Sequence, residues 1–203
     1  MKRSNADSES DGWETVSSET HFQNDHLEVT TEEIRTPARS APRKWTIVHR
    51  KKAVVIAPMT PEGEIILIRQ ERIPIRAAIW EMPAGQIDES KTPDLAAIKT
   101  VALRELREET GFELLEGGEL ISLGDYFTSP GFTDERGYFF LARPVRSCAD
   151  GHAHDESESI LDCRPFSASE LRRMIDQNEI RDANTLGIFA RLVARGLLPL
   201  ERA

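Results

Sequence analysis

The segment Arg104–Gly111 reads R-E-L-R-E-E-T-G and crowds three carboxylates into five residues. Glu105, Glu108 and Glu109 stand at i, i+3 and i+4, which on a helix sets them on one side. The residues before them keep a helical period: Leu95, Ile98, Ala102 and Leu106 recur as one apolar stripe, and Gly111 ends the run. Thr92 is placed to cap this helix, Pro93 suits its first position, and Asp94 suits the positive end of its dipole. Glu105 and Glu109 then border the apolar stripe beside Ile98 and Ala102. Like charges four residues apart repel by about 0.2–0.5 kcal/mol on an open surface, and by more where water is scarce. A divalent cation turns that repulsion into coordination, because hard cations take several carboxylate oxygens at once. The residues by themselves also allow a solvated helix end in which Arg104 pairs with Glu108.

Around this helix the chain is rich in strand patterns. Residues 1–12 are polar and low in hydrophobics, and a disordered tail is expected. From Trp13 to about Ile34 apolar positions alternate, and 37–43 reads as a turn or short loop, so 13–48 is expected to form a small antiparallel β extension. Val- and Ile-rich runs follow at Trp45–Val48, Ala53–Ala57 and Ile65–Arg69, then a short strand at Ile79–Met82. After the helix, Leu120–Tyr126 and Tyr138–Leu141 read as strands separated by the loop S-P-G-F-T-D-E, Ser129–Glu135. Residues 149–158 are polar and expected to be mobile. His152, His154 and Asp155 within them have a metal-like composition but read as part of a polar loop. Ser167 with Glu170 makes a capping box for one helix, and Asp182–Ala194 is a second, amphipathic one. Strands flanking a central helix and closed by C-terminal helices predict an α/β sandwich with a mixed sheet.

Length and charge bound the function. A chain of 203 residues supports one domain plus an extension. A formal net charge of −9 leaves no basic stripe to displace counterions, which argues against non-specific nucleic-acid binding. No apolar run reaches the roughly 18 residues of a membrane span. Lys2 and Arg3 have no apolar segment behind them, so no secretory signal is expected. Cys148 and Cys163 make neither a C-x-x-C motif nor a disulfide framework and are expected as free thiols without a histidine partner. A soluble, cytoplasmic protein is the expectation.

Upstream of the helix, Trp80–Glu89 reads W-E-M-P-A-G-Q-I-D-E, a strand end entering a glycine loop. Together with R-E-L-R-E-E-T-G it resembles the Nudix box, the loop–helix–loop signature of enzymes that hydrolyse nucleoside diphosphates linked to another group. The P-A-G entry is similar to the ADP-ribose pyrophosphatase branch of that family. The family pattern is G-x5-E-x7-R-E-x-x-E-E-x-G. Counted back from Arg104, its first glutamate falls on Ala96 and its glycine on Ser90; counted forward from Gly85, that glutamate falls on Lys91, with about five extra residues before Arg104. The first box glutamate is absent on either count, which leaves the number of metals open.

The resemblance implies a Nudix α/β/α sandwich over 49–203 and an N-terminal extension, 13–48, that packs or exchanges across a homodimer. It implies Mg²⁺, or Mn²⁺, on Glu105 and Glu109 with the carbonyl of Ala84, and Glu108 shared or behind them. Arg104 is counted with the catalytic group. Glu135 matches the glutamate of the branch's S-P-G-x-x-x-E loop, which binds metal or deprotonates water; Asp134 is the neighbouring alternative. Pro130 matches a proline that shapes the ribose pocket, and Glu158 is a weaker carry-over that helps close the site. Arg72 and Arg50 match arginines on the diphosphate, a role their planar fork suits. Trp45 has a face on which adenine can stack, and Trp13 could supply the opposite face; packing within the N-terminal sheet is open for both. The implied substrate is a small nucleotide sugar: ADP-ribose or a related ADP-sugar, split to AMP and a sugar phosphate. Another nucleoside diphosphate derivative, or an ADP-ribose-binding module without catalysis, stays open. The S-Q-P-W-P-F-P-x-S string of NADH-cleaving relatives is absent.

Overall fold

The computed structural model describes residues 12–87, 93–148 and 159–199. The Thr- and Ser-rich N-terminal segment forms the expected meander: β1 (Glu14–Gln23), β2 (Leu27–Thr36) and β3 (Arg39–Arg50) pair antiparallel in that order. Cross-strand partners set its register, as in Glu14 opposite Arg35, whose side chains lie 2.6 Å apart. The loop expected over 37–43 shrinks to a turn at Pro37 and Ala38. Residues 39–43 pair with β2 instead, and Pro42 is tolerated because β3 is a sheet edge.

The run A-V-V-I-A-P is apolar on both faces and becomes β4 (Ala53–Pro58), which can fold only where both faces are covered. It pairs antiparallel with the short β7 (Ala84–Gln86) and parallel with β9 (Arg136–Ser147), which pairs antiparallel with β8 (Phe112–Phe127). A second sheet places β5 (Ile65–Arg72) between β6 (Ala77–Glu81) and β10 (Ile160–Phe166). Strand β8 is far longer than expected. It begins at Phe112 rather than Leu120, with Gly117 and Gly118 inside a register shift of the β8–β9 pair. Strands β7 and β10 were not expected. The first is three residues after a proline and the second is broken by Asp162 and Arg164; both exist through their partners β4 and β5.

Helix α1 (Leu95–Thr110) covers one side of this framework. Ile98, Ala102 and Leu106 pack on Val54, Ile56, Ile66 and Phe140. On the other side α2 (Ala168–Asp176) and α3 (Ala183–Ala194) contribute Leu171, Met174, Ile188 and Leu192 to a core with Val55, Ala57, Leu67 and Phe139. Alternate residues of β4, β5 and β9 therefore feed two cores, and the architecture is the expected α/β/α sandwich with a mixed sheet.

The helix ends follow side-chain chemistry. Helix α1 starts at Asp94, whose carboxylate accepts from the Ala97 N–H at 2.8 Å, so Pro93 precedes the cap rather than opening the helix. Gly111 closes it with φ +68°, a conformation that favours glycine. The capping box of Ser167 and Glu170 opens α2 as expected. Thr92, Ser90, Lys91, residues 1–11 and 149–158, with His152, His154, Asp155 and Glu158, lie outside the described residues. Among the described residues no helix is long and apolar enough to cross a membrane.

Thr185 joins α3 to the strand end that enters the P-A-G loop. Its buried hydroxyl donates to Asp182 Oδ2 at 2.7 Å and accepts the Met82 N–H at 2.9 Å. Thr185→Val keeps the shape and strands that N–H in the interior. We expect a loss of about 1–3 kcal/mol of stability, measured by urea unfolding. An unchanged midpoint would mean that water or another acceptor replaces the hydroxyl.

Candidate active site

Glu105 and Glu109 lie on the packed side of α1 and are almost fully buried, at 6% and 1% exposure. Strand β7 runs past them. Hydrogen bonds from Ile56 N–H to Pro83 O and from Ile87 N–H to Lys52 O bracket its pairing with β4, so the backbone polar groups of Ala84 turn outward. The Ala84 N–H donates to Glu109 Oε2 at 2.8 Å. At Gly85 an added Cβ would fall 2.0 Å from the carboxyl carbon of Glu105, so only glycine lets the carboxylate lie against the backbone. Glu108 sits on the outer side. Arg104 bridges the cluster, with Nη1 donating to Glu108 Oε2 and Nη2 to Glu105 Oε1, both at 2.5 Å. Both arrangements that the sequence allowed are present: the Arg104–Glu108 ion pair, and a pair of carboxylates withdrawn from solvent.

The donors suit a hard divalent cation in kind. Two buried carboxylates lie beside an outward-facing stretch of backbone, all the donor atoms are oxygens, and burying like charges costs energy that a cation offsets. Among the described residues, no three His, Cys, Asp or Glu side chains are gathered closely enough to hold an ion. Ala96, one of the two positions counted for the first box glutamate, is exposed in the first turn of α1.

Glu135 ends the loop that follows β8. Its carboxylate is mostly buried, accepts from Thr128 Oγ1 at 2.9 Å and faces Arg50 Nη1 at 3.4 Å. Asp134, the neighbouring alternative, is engaged elsewhere: it accepts from the Arg50 N–H at 3.2 Å and contacts His49 Nδ1 at 2.6 Å. Arg72 is fixed by Glu81, its Nε donating to the two carboxylate oxygens at 2.9 and 3.2 Å. Glu81 is 3% exposed. Burial pushes its pKa from 4.5 up to about 7, against the opposing pull of Arg72 and with a further rise from Asp182.

Trp13, Trp45 and Pro130 meet around a pocket of about 460 Å³, within the size range of small-ligand sites. Phe132, Thr133 and Asp134 complete the wall formed by the Ser129–Glu135 loop, and Arg39 and Arg43 also line the pocket. Trp45 is both part of the wall and its anchor, since its Nε1 donates to Gly131 O at 3.1 Å. The structure therefore groups the expected residues in three places: Ala84, Arg104, Glu105, Glu108 and Glu109 at the helix; Arg50 and Glu135 at the loop; Trp13, Trp45 and Pro130 in the pocket. Arg72 lies on the β5–β6 hairpin with Glu81. The sequence did not single out Glu81, Asp182, His49 or Tyr126. A lone carboxylate in the apolar run A-A-I-W-E-M was the available signal for Glu81. The Tyr126 hydroxyl is buried without a hydrogen-bond partner among the described residues, and burial, Asp182 and Glu135 all push its ionisation upward.

The model of the NUDIX domain family matches residues 49–186. An ADP-ribose pyrophosphatase of Bacillus subtilis (strain 168) is 30% identical over 171 residues, covering 84% of this chain and 87% of that protein. A methanol dehydrogenase activator of Bacillus methanolicus is 30% identical over 172 residues, covering 85% and 88%. The crystal structure of an ADP compounds hydrolase superposes with a TM-score of 0.72 at 18% identity, over 91% of this chain and 96% of that one, and so shares its fold.

Two outcomes follow from the geometry. Gly85→Ala must drive the Glu105 carboxylate from its place, so Mn²⁺ affinity measured by titration calorimetry should fall about tenfold or more, with the circular dichroism spectrum unchanged. Native-like affinity would show that Glu105 is not a ligand. For Glu81, folding raises the pKa from 4.5 to about 7, so its stability contribution is complete below the lower value and is lost as pH rises through the higher one. Glu81→Gln removes this titration. The melting temperature of the wild type should drop relative to Glu81→Gln between about pH 5 and pH 8, whereas parallel curves would contradict the shift.

Proposed function

The chain belongs to the Nudix family and is a Nudix hydrolase, and we propose that it hydrolyses the pyrophosphate bond of ADP-ribose or a related ADP-sugar, releasing AMP and a sugar phosphate. The observation that carries this reading is the placement of the tryptophan-lined pocket and the Glu135 loop on one continuous segment. Pro130, Phe132, Thr133 and Asp134 wall the pocket, and the next residue is Glu135. A base held between the rings of Trp13 and Trp45 puts the attached diphosphate next to the loop. Two of the comparisons bear names that fit: the Bacillus subtilis relative and the structural neighbour both act on ADP compounds.

In this reading Arg50 and Arg72 bind the diphosphate oxygens, and Glu81 keeps the Arg72 fork oriented through its Nε. Glu105 and Glu109, with the Ala84 carbonyl and with Glu108 beside them, hold Mg²⁺ or Mn²⁺, which supplies Lewis-acid charge to the phosphate oxygens when bound. Arg104 restrains Glu105 and Glu108 in the absence of substrate. Glu135 takes a proton from the attacking water as the bridging P–O bond breaks and the leaving phosphate carries away the electron pair. The N-terminal sheet, residues 13–48 with the rest of β3, is the dimerisation module of a cytoplasmic homodimer. Its strand β1 is exposed along its whole length, including Trp13 just before it and Val16 and Phe22 within it.

The test is to incubate the protein with ADP-ribose and Mg²⁺, Mn²⁺ or chelator and to quantify AMP. AMP should form only with metal. Glu105→Gln should abolish it, and Glu135→Gln should slow turnover about a hundredfold or more with substrate affinity retained. Full activity in Glu105→Gln, or activity in chelator, would overturn the assignment.

A further inference from the structure

The loop that presents Glu135 closes on itself through the Phe132 and Thr133 N–H groups on Ser129 O, both at 3.1 Å, and strand β3 fastens it from outside, one residue at a time. Gly131 O accepts from Trp45 Nε1 at 3.1 Å, and Phe132 O accepts from the Val48 N–H at 2.8 Å. Thr133 forms a parallel bridge with Val48. Asp134 takes the Arg50 N–H and His49 Nδ1, and Glu135 faces the Arg50 guanidinium. Within this set His49 makes side-chain contacts on two sides. Its Nδ1 is 2.6 Å from Asp134 Oδ2, while its Nε2 lies 3.0 Å from Thr30 Oγ1 and 3.4 Å from Glu32 Oε1 on β2. The ring is therefore fastened at both ends, to the interior of the N-terminal sheet on one side and to the residue before Glu135 on the other. Thr30 is 3% exposed, so the inner attachment is a fixed one.

We propose that His49 is a positioning residue: acting through Asp134, it sets the loop so that the Glu135 carboxylate faces the diphosphate. The inference rests on Glu135 being the base, as proposed above. It adds a physical link between recognition and chemistry. Trp45, Ile47 and His49 alternate onto one face of β3, where the first two line the pocket and the third holds the loop. A nucleobase seated on Trp45 and the carboxylate that takes the proton are thereby referred to one strand. An error of about 1 Å in a reacting group can cost up to about a hundredfold in rate, so a single lost attachment is enough to be measured.

The test is steady-state kinetics on the full chain with ADP-ribose and Mg²⁺, for His49→Ala, His49→Asn, Glu135→Gln and the His49→Ala/Glu135→Gln pair, with melting temperatures for each. His49→Ala should lower kcat about tenfold while KM stays within about twofold, because the substrate contacts remain. His49→Asn places an amide N–H near the position of Nδ1 and should recover most of the loss. In the Glu135→Gln background His49→Ala should add nothing, since a loop without its base has nothing left to aim. An unchanged kcat in His49→Ala beside a crippled Glu135→Gln overturns the positioning role alone. So does an equal loss in both backgrounds, the signature of a merely structural clip. Full activity in Glu135→Gln overturns the assignment of the base, and the positioning role with it.

Discussion

Two carboxylates buried on the core side of a helix are the constraint around which this molecule is arranged. Glu105 and Glu109 stand one turn apart on α1, among residues that pack against β4. Left alone they would repel each other and lose hydration. The neighbouring backbone answers that cost: β7 turns the Ala84 N–H toward Glu109, and Gly85 gives up a side chain so that Glu105 can fit. Arg104 supplies counter-charge from the solvent side. A hydrogen bond from the Met82 N–H to Thr185 then ties the approach to β7 to the first turn of α3. A stretch of backbone is thus fixed from the helix on one side of the sheet and from a helix on the other.

Much of this was legible because it is local. The period of α1, its terminal glycine, the two-faced apolar run of β4 and the capping box of α2 all depend on residues within a few positions of one another. The errors have the same origin. Thr92 and Asp94 are both competent caps, and neighbouring residues do not rank them; the Asp94–Ala97 bond does. Strands β7 and β10 owe their existence to partners far away in sequence, and the E-G-G-E of β8 becomes an irregularity inside a strand because β9 pairs on either side of it. The carboxylate cluster of the box was legible as a motif. The pairing of Glu81 with Arg72 was not, because it forms across a hairpin, and the contact of His49 with Asp134 was not, because the two lie 85 residues apart.

The N-terminal meander read as an accessory, and its edge strand β1 is indeed exposed throughout. Its other edge is different. Strand β3 carries a pocket-lining tryptophan, the loop attachments and the arginine opposite Glu135, and the boundary expected at residue 48 falls inside that strand. The family match beginning at residue 49 covers the hydrolase framework. What lies before it supplies one wall of the pocket.

Strand β4 carries one more implication. Val54 and Ile56 face the α1 core, and Val55 and Ala57 face the α2–α3 core. The strand works as a ratchet with two-residue teeth: a slip of one position would exchange the contents of both cores and also carry β7, with its outward-facing Ala84, out of step with α1. Sequence change inside such a strand can alter volume but not count. Length can vary only in the connections, and that keeps the spacing between backbone and carboxylates the same while the loops around the site diversify.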